Sequence, residues 1–363
     1  MTYLAYTNFY FFTLPTITLI YVWFFFFKTN NNTLKLGQFD KTTQINIIPS
    51  HNNCVVYTKL HVYVTFLHIV NFFFLRGKNS VLWFEHLVLT NFLINIIMVF
   101  FCVSLLLAFL LCNLVKKNNH IKGVDYLFSL INLTILLPYI FFSGTVFTFL
   151  FVVEILSSIL LYKLISSRMW FKTQDLNKFY KRIGKQIPVI YINMLFFQYW
   201  VMFFSTIFIV YFYICVFYIY GSSNWITIQF LENFFVNKGL FVDGFFKNTI
   251  FIAFLFSVFF KLGVTPFHLF KVEVYKGIPF VSILFYTIYY FTVFFIFFVY
   301  LLSESIYHFI PRFYLFFSIF ILSGSFCIIV FLFDLTLIKA FFTYSTLINT
   351  VGLLFLLVVL LAM

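Results

Sequence analysis

Charge is the scarcest commodity in this sequence. Only 9% of its 363 residues are Asp, Glu, Lys or Arg, whereas 63% are hydrophobic, and the mean hydropathy is +1.05. A water-facing surface cannot be assembled from so few charges, which excludes a soluble globular domain and leaves a polytopic membrane protein. Arginine is rarer still, with four among the 23 basic residues. The five cysteines, Cys54, Cys102, Cys112, Cys215 and Cys327, form no CxxC pair and mostly lie inside apolar runs, which excludes a disulfide framework or a thiolate metal site. No glycine-rich dinucleotide fingerprint, P-loop or HExxH is present, so nucleotide and metal chemistry are not visible. The N-terminal stretch MTYLAYTNFYFFTLPTITLIYVWFFFF has no Arg and is long enough to span a bilayer, unlike a cleaved presequence.

Phenylalanine, by contrast, occurs 63 times and tyrosine 24 times. With Ile, Asn and Lys these are the residues of A/T-rich codons, as expected of an organellar genome, and much of the Phe content then reflects exchange among lipid-compatible side chains. The formal net charge of +13 would point to nucleic acid in a soluble protein. Here the basic residues sit in loops between apolar runs, where they read as topology signals and membrane-surface contacts, with no nucleic-acid partner.

At about 20 apolar residues per span, ten spans are expected, at 3–27, 54–75, 86–115, 124–143, 145–166, 189–220, 248–270, 280–301, 312–333 and 344–363. The second is weak, since Lys59, His61 and His68 interrupt it. The loops 28–53 and 167–188 are polar, and the second could lie on the membrane surface. With spans alternating, and with Lys163 counted at its helix end and Lys271 in the following loop, 16 basic residues fall on one side and five on the other. The positive-inside rule then puts both termini on the outer side.

Two ionisable residues lie at depth. Glu154 is near the middle of its apolar run, and Lys261 is a little past the middle of 248–270. A charge there costs at least about 2.5–3.5 kcal/mol on insertion scales, so each needs a partner or a hydrated path. Helical spacing groups Ser257, Lys261, Thr265 and His268 in one stripe, and Glu154 with Ser157, Ser158 and Tyr162 in another. Gly263 and Pro266 disfavour a regular helix after Lys261, and broken helices at membrane depth occur where freed carbonyls face protein or water. Two readings stand: a pair of structural charges, or a proton path in which a buried amine takes up and releases a proton.

The stretch FKLGVTPFHLFKVEVYKGIP (260–279) resembles the pattern F-K-x-x-x-x-P-F-H-x-W-x-x-[DE]-V-Y-x-G-x-P of the antiporter-like membrane subunits of respiratory complex I. It is nearest to the subunit 2 family of mitochondrial NADH dehydrogenase. It matches at Phe260, Lys261, Pro266, Phe267, His268, Glu273, Val274, Tyr275, Gly277 and Pro279, with Phe270 in place of the tryptophan. VVEILSSILLY resembles the family's L-E-x-x-S-x-x-x-Y helix through Glu154, Ser157 and Tyr162, and DLTLIKAFFTYSTLINTVG its I-K segment through Ile338, Lys339, Tyr344, Ser345 and Gly352. The likeness covers roughly 124–363.

The resemblance implies an all-α antiporter-like fold of about ten transmembrane helices with inverted repeats and a discontinuous helix near 261–268. Residues 1–123 would be N-terminal helices, 124–301 a first five-helix repeat and 302–363 the start of an incomplete second one. It implies a membrane-arm subunit of NADH:ubiquinone oxidoreductase in the mitochondrial inner membrane. Proton translocation would run through Glu154, Lys261 and His268, with Gln198, Ser257, Thr265, Tyr286, Tyr290 and Lys339 as relay groups. NAD, FMN, iron–sulfur clusters and ubiquinone would belong to partner subunits, with no cofactor on this chain. Two family lysines are missing: Gln198 stands where one is expected, and Phe291 where another is. The family also continues for about four more helices, so a separate chain is expected to supply them. The alternatives are a structural spacer in the same complex, favoured by the missing lysines, and a stand-alone cation/proton antiporter subunit.

Overall fold

A computed structural model describes residues 49–77, 79–82, 85–117, 124–170, 186–238, 244–264, 267–278, 280–304, 310–332 and 338–362. The span expected at 3–27, most of the loops 28–53 and 167–188, and Thr265 and Pro266 lie outside these residues. In hydrocarbon no water satisfies the backbone, so a chain this apolar must close its own hydrogen bonds, and helices do so within one segment. The helices are α1 (Pro49–Leu75), α2 (Asn91–Lys117), α3 (Val124–Leu136), α4 (Val146–Trp170), α5 (Gln186–Tyr220), α6 (Trp225–Lys238), α7 (Gly244–Leu262), α8 (Leu269–Gly277), α9 (Phe280–Leu284), α10 (Phe291–Glu304), α11 (Ile310–Leu332) and α12 (Ile338–Ala362). A 3₁₀ turn, Leu137–Phe142, extends α3, and a π-helical turn, Phe285–Tyr290, joins α9 to α10.

Among the described residues six helices are long and apolar enough to cross a membrane, and three shorter apolar helices, 126–142, 248–262 and 317–330, accompany them. The discontinuous helix is present, since α7 stops at Leu262 and α8 starts at Leu269. The apolar part of α5 runs for 30 residues, about 45 Å at 1.5 Å per residue, which exceeds a roughly 30 Å hydrocarbon core and requires tilt. The histidines expected to interrupt the second span do not. The His68 Nδ1–H donates to the Val64 carbonyl of its own helix at 2.8 Å, and His61 Nε2 lies 2.8 Å from the Thr134 hydroxyl on α3. Both rings are buried with one nitrogen of each hydrogen-bonded, and α1 runs through them without interruption.

Helix α1 packs on α2 and α3, α3 on α4, and α4 on α5, while α5 also lies against α7 and α8. Helices α11 and α12 pair with each other, and α12 reaches α8. Lipid is as apolar as the core, so association rests on close packing and interhelical polar contacts more than on a hydrophobic drive. Phe supplies the first. Phe254, fully buried on α7, has ring centroids 4.9 Å from Phe212 of α5 and 6.3 Å from Phe298 of α10, while Phe149 of α4 stacks on Phe297 at 5.2 Å.

Sequence analysis does not anticipate a short antiparallel hairpin, Ser80–Leu82 with Leu87–Leu89. Gly144, after the 3₁₀ turn, ties it to the helices: its N–H donates to the His86 carbonyl at 2.9 Å, and its carbonyl accepts from Trp225 N–H at 3.1 Å. A Cβ there would come 2.3 Å from the Glu85 carbonyl oxygen, a backbone atom that cannot step aside, so the close approach requires glycine.

The 3₁₀ turn also has a local cause. Pro138 has no N–H to give to the carbonyl four residues back, that of Thr134. The Tyr289 hydroxyl fills the vacancy, donating to Thr134 O at 2.8 Å in a fully buried position. Tyr289→Phe is expected to destabilise the protein by about 1–3 kcal/mol, the cost of an unsatisfied buried carbonyl. Pro138→Ala, which restores a local donor, should recover part of that loss when combined with it; additive losses in a thermal-denaturation cycle would contradict this account.

Candidate functional site

The site forms where α7 ends. Gly263 takes φ +63°, a left-handed conformation that terminates the helix, and its N–H reaches back to Phe260 O at 3.3 Å. The backbone then turns, with Phe267 N–H on Val264 O at 2.8 Å, before α8 starts beyond His268. Lys261 therefore occupies the last turn of α7, where the carbonyl ends of the helix favour a cation. Its Nζ donates to Ser157 Oγ of α4 at 2.5 Å, and the Ser157 hydroxyl donates in turn to Val153 O at 2.6 Å. Glu154 Oε1, one turn away on α4, lies 3.9 Å from the same Nζ. The Lys261 side chain is only 5% exposed, whereas that of Glu154 is 39% exposed. The pair thus joins a buried amine to a carboxylate that reaches the surface of the chain.

Lys261 also borders a cavity of about 30 Å³, whose polar lining is Gln198, Lys271, Tyr275, Tyr286 and Tyr290. One water needs roughly 10–15 Å³ of such space, so one or two fit. Lys271 is buried on α8, with its Nζ 3.4 Å from Leu262 O, a carbonyl released by the helix break, and 5.3 Å from the Phe291 ring. The π turn positions Tyr286 and Tyr290, whose rings are 5.7 Å apart. Such turns are frequent at functional sites.

The structure thus brings Glu154, Lys261, Gln198, Tyr286 and Tyr290 together. The stripe expected to run from Ser257 through Lys261 and Thr265 to His268 does not exist as one helical face, because α7 ends at Leu262. The Ser257 hydroxyl turns back onto Phe254 O at 2.8 Å, and Ser257 borders a smaller cavity of about 10 Å³ beside Lys261. His268 is buried immediately before α8. Lys339 serves elsewhere: its Nζ donates to Ile278 O at 2.7 Å and lies 3.4 Å from Lys276 O, capping the carbonyl end of α8.

Two lysines assigned to topology by sequence are interior groups. One is Lys271. The other is Lys163, fully buried on α4, with Nζ 3.8 Å from the centroid of Phe285, 5.1 Å from Tyr286 and 5.6 Å from Tyr126. Its amine meets aromatic faces, which attract a cation through the ring quadrupole. Lys163 falls three residues after the buried Leu160 and seven after the buried Leu156, on their side of α4, but in a helix apolar all round the sequence does not show that this side is the buried one.

No family model matches the chain. Over 76 residues it is 40% identical to an uncharacterised mitochondrial protein, ORF4, of Paramecium tetraurelia, a match spanning 21% of this chain and 48% of that protein. The chain therefore matches about half the length of this relative. A chain of the respiratory complex I from Thermus thermophilus, solved with bound aureothin, superposes with a TM-score of 0.60 over 83% of this chain and 58% of its own length, at 12% identity. The fold is that of a chain of respiratory complex I. Within this fold the break after Lys261 and the amines around it are the chain's main polar interior feature among the described residues.

Burying an amine that has no carboxylate partner costs free energy that an apolar group of similar length does not incur. Lys163→Met is therefore expected to leave the thermal midpoint of the purified protein unchanged or raised. A fall of several degrees would show that the aromatic cage depends on the charge.

Proposed function

We propose that the chain is a membrane-arm subunit of a mitochondrial NADH:ubiquinone oxidoreductase, a multi-pass protein of the inner membrane, and that it takes part in proton translocation through Glu154 and Lys261. The observation that carries this reading is Lys261 at a helix break, hydrogen-bonded to Ser157 and 3.9 Å from Glu154, in a chain with a complex I fold. The mitochondrial relative supports the compartment. The chemistry fits. An amine within reach of a surface-reaching carboxylate and beside a cavity large enough for water has two proton donors or acceptors at hand. The redox steps with NADH, flavin, iron–sulfur clusters and quinone belong, on this reading, to partner subunits.

A spacer role in the same complex is the second reading, favoured by Gln198 and Phe291 at positions where a lysine was expected. Gln198 relays through hydrogen bonds but carries no proton charge, and Phe291 does neither. A stand-alone antiporter subunit has no observation of its own here.

The assignment is tested by separating gently solubilised membrane complexes by native electrophoresis and sequencing the proteins of the band that oxidises NADH. This chain is expected there, and its absence would refute the assignment. The same inventory tests whether a second chain supplies counterparts of the part of the Thermus chain that this one does not match. Pumping is tested in the purified complex: Lys261→Met should lower the protons moved per NADH oxidised, and Lys261→Arg, whose guanidinium does not release its proton, should lower them as well. An unchanged ratio in Lys261→Met would leave the spacer.

A further inference from the structure

The cavity beside Lys261 contains a second buried amine, and nothing in the path described so far uses it. Lys271 comes from α8, on the far side of the helix break, and is 7% exposed. Its nearest polar contact is one released carbonyl, Leu262 O, at 3.4 Å, a long and weak hydrogen bond that leaves most of the donor capacity of an ammonium unused. Lys261 and Lys271 line the same space, about 30 Å³, and among the described residues no Asp or Glu lines it with them. The carboxylate at hand is Glu154, which lies 3.9 Å from Lys261 Nζ and is not among the residues that line the cavity.

Charge balance follows from this arrangement. One carboxylate offsets one ammonium. A second ammonium bordering the same low-dielectric space is opposed by the first, since like charges repel strongly where water is scarce. Charge neutrality with one ionised Glu154 therefore requires one of the two side chains as an ammonium and the other as a free amine. The remaining polar groups of the cavity, Gln198, Tyr275, Tyr286 and Tyr290, can orient one or two waters while carrying no charge themselves.

We propose that Lys271 is a second proton-carrying amine, which exchanges a proton with Lys261 through water in the cavity that both line. This rests on the reading of the chain as a proton-translocating subunit. In each exchange one N–H bond breaks at the donor ammonium and one forms at the acceptor amine, with the intervening water giving up one proton as it takes another. No electrons are transferred. Helix α8 thereby becomes the onward side of the path, and the break between Leu262 and Leu269 is the point the proton crosses.

The test compares variants of the whole complex in sealed vesicles, reading protons moved per NADH oxidised. Lys271→Met is expected to lower the ratio by about the same fraction as Lys261→Met. The decisive variant returns the amine from the opposite wall: Phe291, whose ring is 5.3 Å from Lys271 Nζ, becomes lysine in Lys271→Met/Phe291→Lys, and the ratio should recover. A structural role for Lys271 would not be rescued from another helix. A normal ratio in Lys271→Met beside a lowered one in Lys261→Met would overturn this inference and leave the proposed function standing. Normal ratios in both would overturn the proposed function and this inference with it. Should Lys271→Met not assemble, the double variant decides: assembly with pumping supports the exchange, and assembly without pumping overturns it.

Discussion

The structure turns on one amine in hydrocarbon. Lys261 cannot stay buried without compensation, and its compensation comes from a helix distant in sequence: the Ser157 hydroxyl at 2.5 Å and the Glu154 carboxylate at 3.9 Å, both on α4. That contact fixes α7 against α4 at the level of the break. The break in turn releases the Leu262 carbonyl, and two further amines meet backbone at the two ends of α8. Lys271 approaches Leu262 O at the start of the gap, and Lys339 takes Ile278 O beyond the far end of α8. Lys271 thus answers backbone left open by the interruption, and Lys339 answers the carbonyl end of α8.

The same rule operates away from the charges, with neutral groups. Pro138 opens a carbonyl at Thr134 and Tyr289 closes it from the π turn. Gly144 lets the hairpin and α6 share one backbone segment because no Cβ intervenes. Among the described residues, departures from plain α-helix cluster around the same core: the 3₁₀ turn, the π turn and the break after Lys261. Phe fills the volume between them, and many further copies are exposed on the surface of the chain. Specificity in this chain resides in a small set of polar and conformational residues set in a forgiving apolar background.

That division explains what could be read from the sequence. Apolar runs of span length, the intramembrane Glu154 and Lys261, and a helix break signalled by Gly263 and Pro266 all stand out against a uniform background. Which face a residue occupies does not. A helix that is apolar all round has no polar side from which to orient it, so Lys163 and Lys271, near the ends of their runs, were indistinguishable from topology signals. The 16-to-5 asymmetry of basic residues keeps its sign without them, so nothing in the count revealed the error. The Ser257–His268 stripe failed for the opposite reason: a helical period was carried through a break that the same residues had already announced. The pairing of Glu154 with Lys261 is a tertiary fact, and the two runs did not by themselves predict it.

The substitutions at Gln198 and Phe291 illustrate the difference between a position in a pattern and a position in space. Counted along the chain, two lysines are missing, and the resemblance read that way favours a spacer. Counted around the cavity, Gln198 is one wall, Phe291 another, and the amine of Lys271 extends from α8 to within 5.3 Å of the Phe291 ring. A polar path needs groups of the right kind within reach of one another and of water, and it is indifferent to which helix delivers them. Apolar drift at one wall is tolerable when an adjacent element already reaches the same space. In a chain whose composition is driven toward Phe, residues that resist the drift carry the information. Around this cavity they are Lys261, Lys271 and the tyrosines of the π turn.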